Sequence, residues 1–268
     1  MTLRGVPVLQ YDGLGTSLPA DVNDRLAKHW VTPISLGRQL ASIRECGHRV
    51  VRLYDAWARG DEEWPAPLPV GRSPVVLTFD DGRAADYDVA FPLLLAAGVR
   101  AEFFINTARI GQPGYLTWSR IAEMHRAGMS FQSHSHDHLV LPNLPARLLR
   151  SELQTSKRLI EDRVGRGVDF LAAPHGLVDR RVVDAAQEAG YHAVCASRGW
   201  PARPGDLVVN RVTVLRDTTA AQFSAILALQ PRGYFAAIAR ALLTTLPHRV
   251  ALKLRPPHLD GTLSPGGA

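Results

Sequence analysis

Cysteine is almost absent. Cys46 and Cys195 are the two in 268 residues, too few and too scattered for a disulfide framework or a thiolate metal cluster. Both are expected to be buried thiols. Long apolar runs are missing too: no window approaches the roughly 20 residues that a membrane-spanning helix needs. The late segment Tyr234 to Leu246 is short and contains Arg240. Met1 to Asp12 has an early arginine but no signal-peptide core, because Gln10 and Asp12 interrupt its apolar residues. A cytoplasmic protein, at most peripheral to a membrane, is therefore expected. No internal repeat is evident. Nor does the chain have the composition of disorder, since 46% of it is hydrophobic and 21% charged.

The charge balance is basic, with a formal net charge of +6 and an isoelectric point near 9.7. This favours acidic partners such as phosphate-bearing substrates or an anionic membrane face. Nucleic acid is not among the expected partners. A basic surface inherited from an Arg-rich genome explains the same number.

Along the chain, apolar strand-like runs alternate with helical spacing. Gly5 to Tyr11 reads as a buried strand, Ser35 to Cys46 as a helix closed by Gly47, and His48 to Leu53 as a second strand. The Pro-rich stretch Pro65 to Pro74 reads as a surface connection before the strand Val75 to Phe79. Helices follow at Tyr87 to Ala97, Ser119 to Ala127, Pro145 to Val164 and Arg180 to Ala189. Strands are expected at Arg100 to Ile105, Met129 to Ser133, Asp169 to Ala173 and His192 to Ala196. Repeated strand-then-helix units predict an α/β fold with a parallel sheet and polar motifs at strand C-terminal ends. The expected organisation is a barrel over 1–215, a helical extension over 216–259 packed on the same domain, and a disordered tail over 260–268.

The chemistry falls at those strand ends. Asp80 and Asp81 follow Val75-Val76-Leu77-Thr78-Phe79 directly, and Gly82 allows a tight turn. Adjacent side chains of an extended chain diverge, so one carboxylate can take a metal while its neighbour approaches a water; an Asp pair capping the next helix is the bland alternative. Ser133-His134-Ser135-His136-Asp137-His138 places three imidazoles together, and His134 and His138 at i, i+4 can converge from one helical turn. His136 is an alternative ligand if the segment is extended; otherwise His136 and Asp137 face solvent or support the ligands. Two histidines and a carboxylate leave open coordination positions, as a catalytic metal requires. A third strand breaks at Pro174-His175-Gly176, where a backbone N–H could face a developing oxyanion.

Thr78-Phe79-Asp80-Asp81-Gly82, His134-Ser135-x-x-His138 and Pro174-His175-Gly176, in this order, resemble the polysaccharide deacetylases, carbohydrate esterase family four. Val6 to Tyr11 and Gly47 to Val51 look like the barrel entry of its exopolysaccharide branch, and the resemblance spans roughly Gly5 to Val214. It implies a distorted (β/α) barrel in which Asp81, His134 and His138 bind zinc or a similar divalent metal and Asp80 is the general base. The implied reaction is attack of an activated water on the acetamide carbonyl of an N-acetylated sugar, releasing acetate, with the ion and the His175 N–H facing the oxyanion.

Several positions depart from the family pattern. Ala172 stands where many members have the arginine that tethers the base, and Arg211 is the candidate replacement. His175 replaces a common tyrosine. Asp12 stands where the exopolysaccharide branch often has histidine. The usual C-terminal histidine acid has no clear match; His248 and His258 are the candidates, and both read rather as ordinary surface histidines. The expected activity is removal of an N-acetyl group from a small, nucleotide-linked or lipid-linked acetamido sugar. A related metal-dependent amide or cyclic imide hydrolase and a catalytically impaired glycan-binding descendant are the alternatives.

Overall fold

Parallel strands whose apolar residues are buried on both faces build the core, which is why they read as continuous apolar runs. The computed structural model describes residues 3–19, 27–58 and 73–239. Residues 240–259 of the expected extension, the 260–268 tail, Pro65 to Arg72, His248 and His258 lie outside the described residues. The strands are β1 (Val8–Tyr11), β2 (Gly13–Leu14), β3 (Trp30–Val31), β4 (Arg49–Val50), β5 (Pro74–Asp81), β6 (Glu102–Ile105), β7 (Ser130–Ser133), β8 (Phe170–Ala172), β9 (Ala193–Ala196), β10 (Val208–Asn210) and β11 (Val212–Thr213). The α-helices are α1 (Pro33–Glu45), α2 (Leu53–Ala58), α3 (Phe91–Ala96), α4 (Trp118–Arg126), α5 (Ala146–Val164), α6 (Arg180–Glu188) and α7 (Ala220–Leu227). Residues 231–239 are also helical, and the buried Tyr234 anchors them by donating its hydroxyl to Ile226 O at 2.9 Å. No described helix is long and apolar enough to cross a membrane.

The main sheet runs β10-β9-β8-β7-β6-β5-β1-β11, with β4 beside the start of β5, and every pairing is parallel. Its two edges meet in one stretch of chain. β10 pairs with β9 and β11 with β1, and only Arg211 separates them. Arg211 N donates to Ala196 O and Val214 N to Gln10 O, both at 2.8 Å. The sheet is thereby a nearly closed barrel, the α/β architecture expected from the strand-helix alternation.

Alternation along the strands sorts the side chains. Leu9, Leu77, Phe79, Phe103 and Phe131 join the layer that also contains helix residues such as Leu36, Leu94 and Leu153. Tyr11, Phe79, Phe103 and Phe131 stack successively across four adjacent strands at 5.0, 5.0 and 5.5 Å; each such pair adds roughly 0.5–1.5 kcal/mol to area burial. Val8, Val76, Phe104, Phe170, Ala172, Cys195 and Val209 form a second cluster inside the barrel, joined by Leu53 and Ala56. Thr78 and Asp80 share the inward face of Val76. Burial pushes the Cys195 thiol up to about 12. Cys46 departs from expectation: it is only half-buried, because it caps the C-terminus of α1.

Two other expectations are corrected. Leu53 does not end a strand but opens α2, where its N–H donates to the buried Glu102 carboxylate at 3.0 Å and its side chain enters the inner cluster. The helix predicted from Tyr87 begins as a π-turn, Asp86–Ala90. Pro92 in the first turn of α3 has no N–H to donate, and Phe91 N reaches back to Asp86 O.

Arg211 is wholly buried, and its guanidinium forks onto Asp80, with Nη1 to Oδ1 and Nη2 to Oδ2 both at 2.7 Å. Truncating one partner of such a pair leaves an uncompensated charge. Arg211→Met is expected to destabilise the fold by about 3–5 kcal/mol. The double variant Arg211→Met/Asp80→Asn should recover part of that loss, as read from urea unfolding midpoints; equal loss in both would assign the cost to seam packing instead.

Candidate metal and catalytic site

The site lies at the C-terminal ends of β5, β7 and β8. Asp80 follows the inward alternation of β5 and is 4% exposed. Asp81 should then face away, but its backbone turns left-handed at φ +77°. Its carboxylate accordingly meets the two histidines: Oδ1 is 3.6 Å from His134 Nε2 and 3.3 Å from His138 Nε2.

The histidines do not converge from a helical turn as the i, i+4 spacing suggests. His134 leaves β7, and the chain then loops through Ser135 at φ +63° and His138 at φ +58°. The loop has specific supports. Glu152, buried on α5, accepts from His136 N at 3.1 Å and Asp137 N at 2.8 Å. His138 N donates to Ser135 Oγ at 3.2 Å. With its amide turned to suit both neighbours, Asn106 joins His136 O at 2.6 Å and His138 N at 3.0 Å. His136 bonds Thr107 through Nδ1 at 2.8 Å and is not in the ligand group. Asn106 has no sequence signal for this role; at Glu152 the signal is an acid in the buried stripe of a long helix.

The three residues fit a divalent ion. One ligand atom from each of Asp81, His134 and His138 lies within 4.8 Å of the others. A tetrahedral ion with bonds near 2.0–2.1 Å separates its ligands by about 3.4 Å, and the observed 3.3 and 3.6 Å match that edge. His134 Nδ1 lies 2.8 Å from Ala172 O; a carbonyl only accepts, so Nδ1 carries the proton and Nε2 presents a lone pair towards Asp81. Burial holds the His134 imidazole below its ordinary value despite the nearby Asp80 charge. Two acceptors facing each other at this distance call for a cation between them.

The charges around the trio are mutually adjusted. Burial would raise Asp81, but the His138 hydrogen bond and the charges of His134, His138 and Arg83 overturn that, and the net shift is downward. Arg83 Nε stands 3.6 Å from Asp81 Oδ2, with its guanidinium 5.1 Å over the Trp30 ring. Burial would lower Arg211, and the charge and hydrogen bonds of Asp80 reverse it. His175 sits at φ +61° in the Pro174–Gly176 turn, its ring edge-on to His138 at 5.0 Å. Gly176 admits no side chain there: a Cβ would stand 2.6 Å from Ser197 Cβ. Asp12 is engaged elsewhere, by Gln10 Nε2 at 2.6 Å and His29 Nδ1 at 2.5 Å.

Residues 68–194, which carry all three motifs, match the polysaccharide deacetylase family model. This stretch is similar to the polysaccharide deacetylases. YxkH of Bacillus subtilis (strain 168), itself assigned to the polysaccharide deacetylases, is 31% identical over 56% of this chain and 55% of its own length. The chitooligosaccharide deacetylase of Rhizobium leguminosarum bv. phaseoli is 30% identical over 53% of this chain and 63% of its own. The chain thus spans little more than half the length of these curated relatives. The Streptococcus pyogenes deacetylase PplD, solved with acetate, shares the fold at a TM-score of 0.74 and 23% identity, over 85% of this chain and 99% of that one.

Two outcomes are expected. His138→Ala and Asp81→Asn should lose stoichiometric divalent metal by elemental analysis after dialysis against zinc, while Asp137→Asn retains it. In the metal-free protein, His134 is lowered when folded, so below its ordinary value of 6.5 the unfolded chain binds a proton that the folded one refuses. Stability should fall as pH drops through 6.5 by up to about 1.4 kcal/mol per unit, and His134→Gln should flatten that slope in urea titrations.

Proposed function

We propose that the protein is a divalent-metal-dependent hydrolase that removes the N-acetyl group from an acetamido sugar. The observation that carries this reading is the buried Asp80–Arg211 fork, one residue from a metal-ligand trio in a stretch of deacetylase sequence. Asp81, His134 and His138 would hold the ion, zinc by the chemistry of two imidazoles and a carboxylate. A bound ion there would polarise the acetyl carbonyl and acidify a water.

The chain's own residues do the rest. Asp80 accepts the proton of the attacking water. Arg211 occupies one lone pair on each Asp80 oxygen, which orients the carboxylate while further lone pairs stay available. Ala172 O fixes the ring of His134. The His175 backbone N–H, at a turn beside His138, serves as a donor to the developing oxyanion. This tether argues against the impaired glycan-binding alternative, whose motive was the missing arginine at residue 172.

The substrate we favour is a small acetamido sugar, free or carried on a nucleotide or lipid through phosphate. The net charge of +6 supports a phosphate-bearing carrier, and the cytoplasm is the compartment where such carriers are met. Acetate release is expected from a panel of free, nucleotide-linked and lipid-linked N-acetylhexosamines. Asp80→Asn should reduce kcat by about 10²–10⁴-fold with metal content unchanged. Full activity in Asp80→Asn would overturn the reading.

A further inference from the structure

Collapse of the tetrahedral intermediate of an amide needs a proton on the departing nitrogen, since an amine anion is too poor a leaving group. Asp80 takes a proton on the attacking side. A second group at the strand ends meets the requirement. β1 lies beside β5, with Tyr11 opposite Phe79, so Asp12 follows β1 at the level of Asp80, near the C-terminal end of β5. Its charge reaches Arg211.

The Asp12 carboxylate is fully oriented. Gln10 Nε2 donates to Oδ1 at 2.6 Å, while Gln10 Oε1 accepts from Ser197 Oγ at 2.6 Å. The other oxygen, Oδ2, stands 2.5 Å from His29 Nδ1. An ionised carboxylate only accepts, so Nδ1 carries a proton towards Asp12 and the ring presents Nε2 away from it. The backbone around His29 is held on both sides. Lys28 O accepts from Arg216 N at 2.8 Å, and Trp30 and Val31 pair with Gly13 and Leu14. Gly13 makes this approach possible, because a Cβ there would stand 2.2 Å from the Trp30 ring. Trp30 lies beneath Arg83, and Arg83 faces Asp81. His29 is thus one residue from a side chain packed on the partner of a metal ligand, and its side chain is 26% exposed, open to proton exchange with water.

We propose that His29, positioned by Asp12, is the acid that protonates the leaving amine in this reaction. The inference rests on the deacetylase reading above. In the step, the C–N bond breaks with its electron pair moving to nitrogen, the nitrogen takes the proton from His29 Nε2, and the acyl carbon departs as acetic acid, which loses its proton to water, as does Asp80. The neutral imidazole recovers a proton from solvent. His29 is the catalytic residue here and Asp12 its positioning residue.

The discriminating measurement compares two leaving groups on the metal-loaded full chain: the panel of free, nucleotide-linked and lipid-linked N-acetylhexosamines, whose amine must be protonated, and 4-nitrophenyl acetate, whose phenolate leaves without help. His29→Gln should lose about 10²–10⁴-fold in kcat on the amide and stay within about threefold on the ester. Asp12→Asn should show a smaller loss with the same amide-over-ester bias, which a purely structural role would not produce. Parallel loss on both substrates, or no loss on the amide, in folded variants with unchanged metal content would overturn the proposal. Absence of amide hydrolysis in the unaltered protein would overturn the deacetylase reading and this proposal with it, and it is seen before any variant is made.

Discussion

Taking two opposite charges out of water costs several kcal/mol each, and at Asp80 and Arg211 the barrel does so at the one residue where its edges join. The fork geometry, with two contacts at 2.7 Å, offsets that cost. Much else follows from the pair. Arg211 stands between the strand half that pairs with β9 and the half that pairs with β1, so the seam of the sheet and the orientation of the Asp80 carboxylate meet at one residue. Thr78 accepts a third bond from the same guanidinium at 3.2 Å, and the Asp80 charge partly counters the lowering of His134 by burial. Folding and the candidate site are coupled at this point because the same carboxylate belongs to both.

Backbone strain is the second organising feature. The described non-glycine residues with positive φ are Asp81, Ser135, His138, His175 and Leu229, and the first four belong to the site. Each such conformation costs on the order of 1–3 kcal/mol, so it persists only where surrounding bonds over-determine it. Those bonds are present in the carboxylate of Glu152 across two successive N–H groups and in Ser133 Oγ, which accepts from Ser135 N at 3.2 Å and donates to Ser156 at 2.8 Å. The long helix α5 thus packs on the sheet and also fixes the loop that delivers His138.

These dependencies explain what could be read from the chain and what could not. Strands such as Val75 to Phe79 were legible because parallel strands buried on both faces leave continuous apolar runs, and their helices because Leu149, Leu153, Ser156 and Ile160 recur at helical spacing and are buried together. The grouping of Asp81, His134 and His138 was legible from residue type and strand-end position. The means of their convergence was not, since i, i+4 spacing fits a helical turn as well as a loop with two left-handed residues. α2 is six residues long, too short for its period to show. The π-turn shares its pattern with an ordinary helix start. His29 had no local signal at all: its significance comes from a partner 17 positions away.

Ala172 shows how the absences and the presences are connected. It lies inside the barrel, wholly buried, and its carbonyl fixes the tautomer of His134. An arginine at this position would direct a second guanidinium into an interior where Arg211 already forks onto both Asp80 oxygens and bonds Thr78. Two guanidiniums sharing one carboxylate would leave a buried positive charge without a partner, a penalty larger than either tether returns. A small residue at 172 and an arginine at 211 are therefore one solution rather than two changes. Asp12 and His29 follow the same logic: position 12 holds a carboxylate, and the β2–β3 pairing brings an imidazole from another segment to hydrogen-bonding distance of it.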